Sequence, residues 1–69
     1  MEKLILKKEY ITLGQLLKAV GLVYDGVEAK HRILNGEASV NGEVEIRRGR
    51  KLYDGDKVLF DNKEILVIK

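Results

Sequence analysis

The 69-residue chain predicts an α+β fold: two short helices packed on a small antiparallel sheet that includes a β-hairpin. Three observations carry that expectation. Leu13, Leu16, Leu17 and Val20 recur at i, i+3, i+4 and i+7, a single apolar stripe at helical period. From Glu37 the period drops to two, which sets Ala38, Val40, Val44 and Ile46 on one side. Between those runs stands Asn41-Gly42, the strongest short hairpin signal, read as a type I′ turn.

Taken in order, Lys3 to Tyr10 carries Leu4-Ile5-Leu6 followed by charged residues, as suits an N-terminal edge strand. Thr12 opens the first helix; its hydroxyl caps the first turn while Gln15 reaches back, a T-x-x-Q capping box. Gly21 stands where a left-handed C-terminal cap is wanted. Leu22-Val23-Tyr24 then leads to a second helix, capped by Asp25 with Glu28 at the third position. Val27, Ala29, Ile33 and Leu34 supply its apolar side, and Asn35-Gly36 ends it. So short a connection predicts an angled helix pair. After the hairpin come the basic run Arg47-Arg48-Gly49-Arg50-Lys51, a turn at Asp54-Gly55-Asp56 and a strand at 57–60. Asp61-Asn62 turns the chain into Glu64-Ile65-Leu66-Val67-Ile68, which is expected to pair with the N-terminal strand.

Composition narrows the function. The length predicts one domain over residues 1–69. With no Cys, neither disulfides nor thiolate metal sites are available. No apolar run approaches the roughly 20 residues of a membrane helix, and Leu4-Ile5-Leu6 is too short for a signal peptide's apolar region, so a cytoplasmic location is expected. Catalysis is poorly provisioned. Thr12, His31 and Ser39 are each the sole residue of their kind, and Thr12 is used as a cap. His31 lacks partners at metal-ligand spacing, and Asp54 and Asp56 read as turn chemistry. Neither an enzyme, a metal or cofactor site, nor a small-molecule substrate is expected.

The charge distribution is more telling. Arg47, Arg48, Arg50 and Lys51 exceed the whole net charge of +2, leaving the remainder of the chain net negative. Four cations in five residues repel one another unless an anion neutralises them or solvent screens them. Arginine's planar fork grips phosphate bidentately, and Gly49 offers backbone freedom or close approach. Lys30 shares a helix face with Val27, Ile33 and Leu34, which would bring its ammonium out between helix and hairpin. Lys18, His31 and Arg32 form a second rank: Lys18 extends the positive patch, whereas Glu28 occupies Arg32 four residues on. Lys7 and Lys8 are offset by Glu9. Tyr10, Tyr24, Tyr53 and Phe60 form no strip with the basic run, which argues against single-strand binding by stacked bases.

Leu13 to Val20, Ala29 to Ile33, Gly36, Val40-Asn41-Gly42 and Gly55-Asp56 together resemble the S4 RNA-binding domain. Gly26-x-x-Ala29-Lys30 and the segment Arg47 to Tyr53 look most like the small stand-alone S4 proteins of the YaaA type. The resemblance spans about residues 12–60 and implies the S4-like (alpha-L) arrangement, with RNA on the basic face of the helices and the adjoining loop. Carried onto matching positions, it nominates Lys30, Arg47, Arg48, Arg50 and Lys51 for RNA contact. Asp25-Gly26 stands where many S4 domains have Ser-Arg, and Arg32 occupies a position that is often aliphatic. The resemblance implies a non-catalytic bacterial module for structured RNA, ribosomal RNA and ribosome components foremost. A protein-interaction adaptor docking an acidic protein surface is the alternative.

Overall fold

The computed structural model describes residues 1–69. Strands β1 (Glu2–Ile5) and β2 (Ile11–Thr12) precede helices α1 (Leu13–Ala19) and α2 (Gly26–Leu34). Five more strands follow: β3 (Ala38–Val40), β4 (Glu43–Val44), β5 (Lys51–Leu52), β6 (Lys57–Phe60) and β7 (Lys63–Ile68). The main sheet has the order β1-β7-β6-β3-β4, and β2 pairs with β5 in a separate ribbon. The expected pairing of first and last strands is present, but parallel, with Glu2 opposite Ile65 and Ile5 opposite Ile68. Both helices lie between β1 and the rest of the sheet in sequence, and so long a crossover allows parallel entry. The sheet is therefore mixed at one edge and antiparallel elsewhere.

Local chemistry explains where the helices begin and end. The Thr12 hydroxyl accepts from the Gln15 amide at 3.3 Å, and Gln15 Oε1 accepts from the Thr12 amide at 3.1 Å. Asp25 accepts from the Glu28 amide at 2.9 Å, while Glu28 reaches past it to the Tyr24 amide at 2.6 Å. Gly21 and Gly36, at φ +78° and +81°, end the two helices in the left-handed region.

Both helices cover one face of the sheet. Phe60, Leu13, Leu16, Leu17, Ile33, Leu52 and Ile65 are fully enclosed, and Ala29 and Ala38 keep the layers close. β6 shows the one-sided burial clearly: Val58 and Phe60 are buried while Lys57 and Leu59 face out.

Two expectations about the apolar faces fail. Val27 and Leu34 are 64% and 57% exposed, because α2 buries only the narrow Ala29–Ile33 edge. Val44 and Ile46 are 64% and 54% exposed as well. The two-residue turn pairs Val40 with Glu43 and Ser39 with Val44, so cross-strand neighbours of the core-facing Val40 carry odd numbers. Residue 45, not 44, therefore points inward, and Glu45 is buried.

Asn41-Gly42 does form the hairpin turn, with φ of +52° and +87°. The Asn41 side chain also ties the hairpin to the Asp54-Gly55-Asp56 turn: its amide donates to Asp56 at 3.0 Å and its carbonyl accepts from the Lys57 amide at 2.9 Å. Asp56 in turn accepts from the Tyr53 amide at 2.8 Å. Asn41→Ala removes both bonds and leaves a β-carbon in the left-handed region, for a loss of about 2–3 kcal/mol. Thermal unfolding followed by circular dichroism should show a fall in Tm of roughly 10–20 °C. Asn41→Gly, relieved of the backbone strain, should lose about half as much.

Candidate nucleic-acid interface

The basic loop is fastened to the start of α1 by its backbone. Thr12 pairs with Lys51 and Ile11 with Leu52. The Leu13 amide donates to the Arg50 carbonyl at 2.9 Å and the Gly14 amide to the Arg48 carbonyl at 3.0 Å. With the Thr12–Gln15 capping box, these bonds satisfy the amides that a helix otherwise leaves open at its N-terminus. The Arg50 amide closes the loop on the Arg47 carbonyl at 3.2 Å.

The glycine this arrangement requires is Gly14. A β-carbon there would lie 2.6 Å from Cγ of Arg48, so the arginine's stem lies on the helix where no side chain stands. Gly49 has neither a left-handed φ nor any atom near its missing β-carbon, so the fold itself does not demand glycine there.

The anion that offsets repulsion in the loop comes from within the chain. Glu45 accepts from Arg47 Nε and Nη2 at 3.0 and 2.9 Å, from the Arg47 amide at 3.1 Å and from Arg50 Nη1 at 2.8 Å. No buried side-chain polar atom in the molecule lacks a partner. The hydrogen bonds from Arg47, and then Arg50, hold the Glu45 carboxyl well below the usual carboxylate range. Arg47 and Arg50 are thus not free cations, as the sequence alone had them. Arg47 nevertheless remains 70% exposed.

Arg48 has no carboxylate within 4.0 Å, nor have Lys18, Lys30 and Lys51. Arg48 and Lys18 line a groove of about 250 Å³ together with Thr12, Gly14, Gln15, Gly26, Ala29 and Gly49. Lys30 does not line it; it is exposed one turn beyond Gly26, on the flank of α2 that Gly26 shares. Lys18, a second-rank candidate, is thus the lysine that shares a groove with Arg48. His31 is exposed in the last turn of α2, well around the helix from Gly26.

Arg32 is held on the far flank. It pairs with Glu37 at 2.8 Å, with Glu28 at 3.8 Å and with Asp61, and its guanidinium lies 4.4 Å from the Phe60 ring centre. Hydrogen bonds to Glu37, then Asp61, raise its pKa above the ordinary arginine value. Its side chain serves the fold. The aromatic expectation also needs correcting. Tyr10 and Tyr53 flank the paired Ile11 and Leu52, and their rings meet at 5.9 Å with Lys51 Nζ 4.9 Å from the Tyr10 centre. No group of three or more His, Cys, Asp or Glu is placed to hold a metal, and no helix is long and apolar enough to cross a membrane.

A family model described as the S4 domain matches residues 4–68, nearly the whole chain. The chain belongs to the S4 domain family. The match extends beyond the stretch that carried the resemblance, reaching the end of β1 and taking in β7. Among relatives, the probable ribosome maturation protein RlbA of Bacillus subtilis is 50% identical over 50 residues, 72% of this chain and 70% of its own. The putative RNA-binding protein YbcJ of Escherichia coli is 34% identical over 62 residues, 90% of this chain and 89% of its own. The solution structure of YbcJ, described as an αL motif involved in RNA-binding, superposes with a TM-score of 0.75 at 33% identity. That alignment covers 100% of this chain and 89% of the YbcJ chain.

Two predictions concern the loop of this S4 domain. Glu45 binds fewer protons folded than unfolded, so its contribution is complete above its ordinary pKa of 4.5 and fades as pH falls below that value. Urea unfolding should show Glu45→Gln less stable than the parent at pH 7, with the gap narrowing by pH 3. Gly14→Ala improves helix propensity by about 1 kcal/mol but evicts the Arg48 stem. On balance thermal stability should fall, because a β-carbon 2.6 Å from Arg48 Cγ pushes on the loop close to its backbone, and loss of contacts between Arg48 and residue 14 in NMR spectra would register the shift.

Proposed function

We propose that this chain is a non-catalytic RNA-binding module that grips the sugar–phosphate backbone of structured RNA in the cytoplasm. The name of one relative, a probable ribosome maturation protein, supports ribosomal RNA as the RNA class, and that of the other supports RNA binding. The observation that carries the reading is the groove where Arg48 and Lys18, both without carboxylate partners, flank the glycines Gly14, Gly26 and Gly49. Cations on a rigid wall beside side-chain-free backbone suit a phosphate chain that must approach closely. Lys30, Arg47, Arg50 and Lys51, which do not line that groove, are the further phosphate contacts of this reading. Arg32 and His31 are left out, the first because three carboxylates engage it.

An acidic protein surface would meet the same cations, and salt separates the two. Neutralising about four phosphates gives a log–log slope of roughly −3 to −4 in affinity against salt. Filter binding with ribosomal RNA fragments should show that slope. Arg48→Ala with Lys18→Ala should weaken binding at least about tenfold with Tm nearly unchanged, because neither side chain is tied into an ion pair. RNA affinity unmoved by that pair of changes would overturn the site; a shallow slope without competition by bulk RNA would overturn the ligand. Arg47→Ala with Arg50→Ala is the poorer probe, since it strands the buried Glu45 carboxylate.

A further inference from the structure

A second groove, of about 450 Å³, shares Gln15 with the Arg48 groove and continues it around α1. Its wall is mostly apolar and includes Ile5, Tyr10 and Ala19, with Lys7 and Lys8 beside them. Ile5 is 71% exposed, since the strand turns its neighbour Leu4 inward instead. Tyr10 is 40% exposed, and its ring is braced by Tyr53 at 5.9 Å and by Lys51 Nζ at 4.9 Å. Lys7 and Lys8 have no carboxylate within reach. Glu9, which the sequence set against them, pairs with Lys69 at 2.6 Å.

A braced aromatic ring, an exposed aliphatic side chain and two unpaired lysines match a flat apolar base joined to an anionic phosphate. An apolar peptide would leave the lysines unanswered. A second copy of the chain meeting itself here would set lysine against lysine. We propose that this groove holds an unpaired nucleotide of the RNA that the Arg48 groove grips, with its base on Tyr10 and its phosphate at Lys7 and Lys8. The proposal rests on the RNA-binding reading above and extends it from duplex backbone to an adjoining single strand.

The test uses the full chain and two RNAs: one stem-loop made blunt, and the same stem-loop with a short uridine tail carrying 2-aminopurine. The tailed RNA should bind about 5- to 100-fold more tightly, with the 2-aminopurine fluorescence quenched by stacking. Tyr10→Ala should remove that advantage and the quenching, with a smaller loss for blunt RNA because Lys51 rests over the Tyr10 ring; Tyr10→Phe should keep both. Lys7→Gln with Lys8→Gln, which leaves the aromatic packing intact, should weaken tailed RNA more than blunt. Blunt RNA binding with no gain from the tail overturns this proposal alone, as does an equal loss for both RNAs in Tyr10→Ala. Failure of both RNAs to bind overturns the RNA reading and this proposal with it. A dimer on size exclusion that Tyr10→Ala dissolves would give the groove to a second copy instead.

Discussion

The amides of Leu13 and Gly14 donate to the carbonyls of Arg50 and Arg48, and the basic surface depends on that junction. A helix must satisfy its first amides somehow, whether by water, by side chains or by a bound anion. Here the arginine loop does it, so the helix start and the loop form one unit. Ordering a loop residue costs about 1–2 kcal/mol in backbone entropy. In this chain that cost falls on folding, and a partner arriving at Arg48 meets a surface already in place. The glycine at 14 completes the junction, because only a bare α-carbon lets the Arg48 stem lie flat on α1. Lys18, one turn further along, then faces the same groove.

Whatever rests on neighbours in sequence was legible from the start. Thr12 with Gln15, Asp25 with Glu28, Gly21, Gly36 and Asn41-Gly42 all carry the roles their local chemistry assigns. What rests on tertiary partners was not. Arg32 reads as the partner of Glu28, yet its nearest carboxylates are Glu37 and Asp61, the latter brought in by a turn 29 residues away. Glu9 reads as the shield of Lys7 and Lys8, yet it bonds the far end of the chain at Lys69. Tyr10 and Tyr53 meet only because β2 pairs with β5, two strands of two residues each with no periodicity to announce them. The inward turn of Glu45 is a different kind of miss. A two-residue hairpin loop pairs 40 with 43, so the parity that buries residue 45 and exposes Val44 was available from Asn41-Gly42 itself.

That parity matters because of what stands at 45. A carboxylate turned inward at the hairpin's edge is costly unless cations meet it, and Arg47 and Arg50 meet it from the same loop. The repulsion within the basic run and the burial of Glu45 therefore offset each other, so each explains why the other is tolerated. The geometry also keeps Arg47 usable. Its Nε and Nη2 are committed to Glu45, while most of the side chain, 70% of it, stays in solvent. The orientation of the Arg47 guanidinium is thus set before any anion arrives, and its Nη1 is not committed to Glu45. One buried acid against four cations leaves the loop strongly positive. The same acid that lowers the charge of the loop is what holds two of its arginines still enough to be read as a shape.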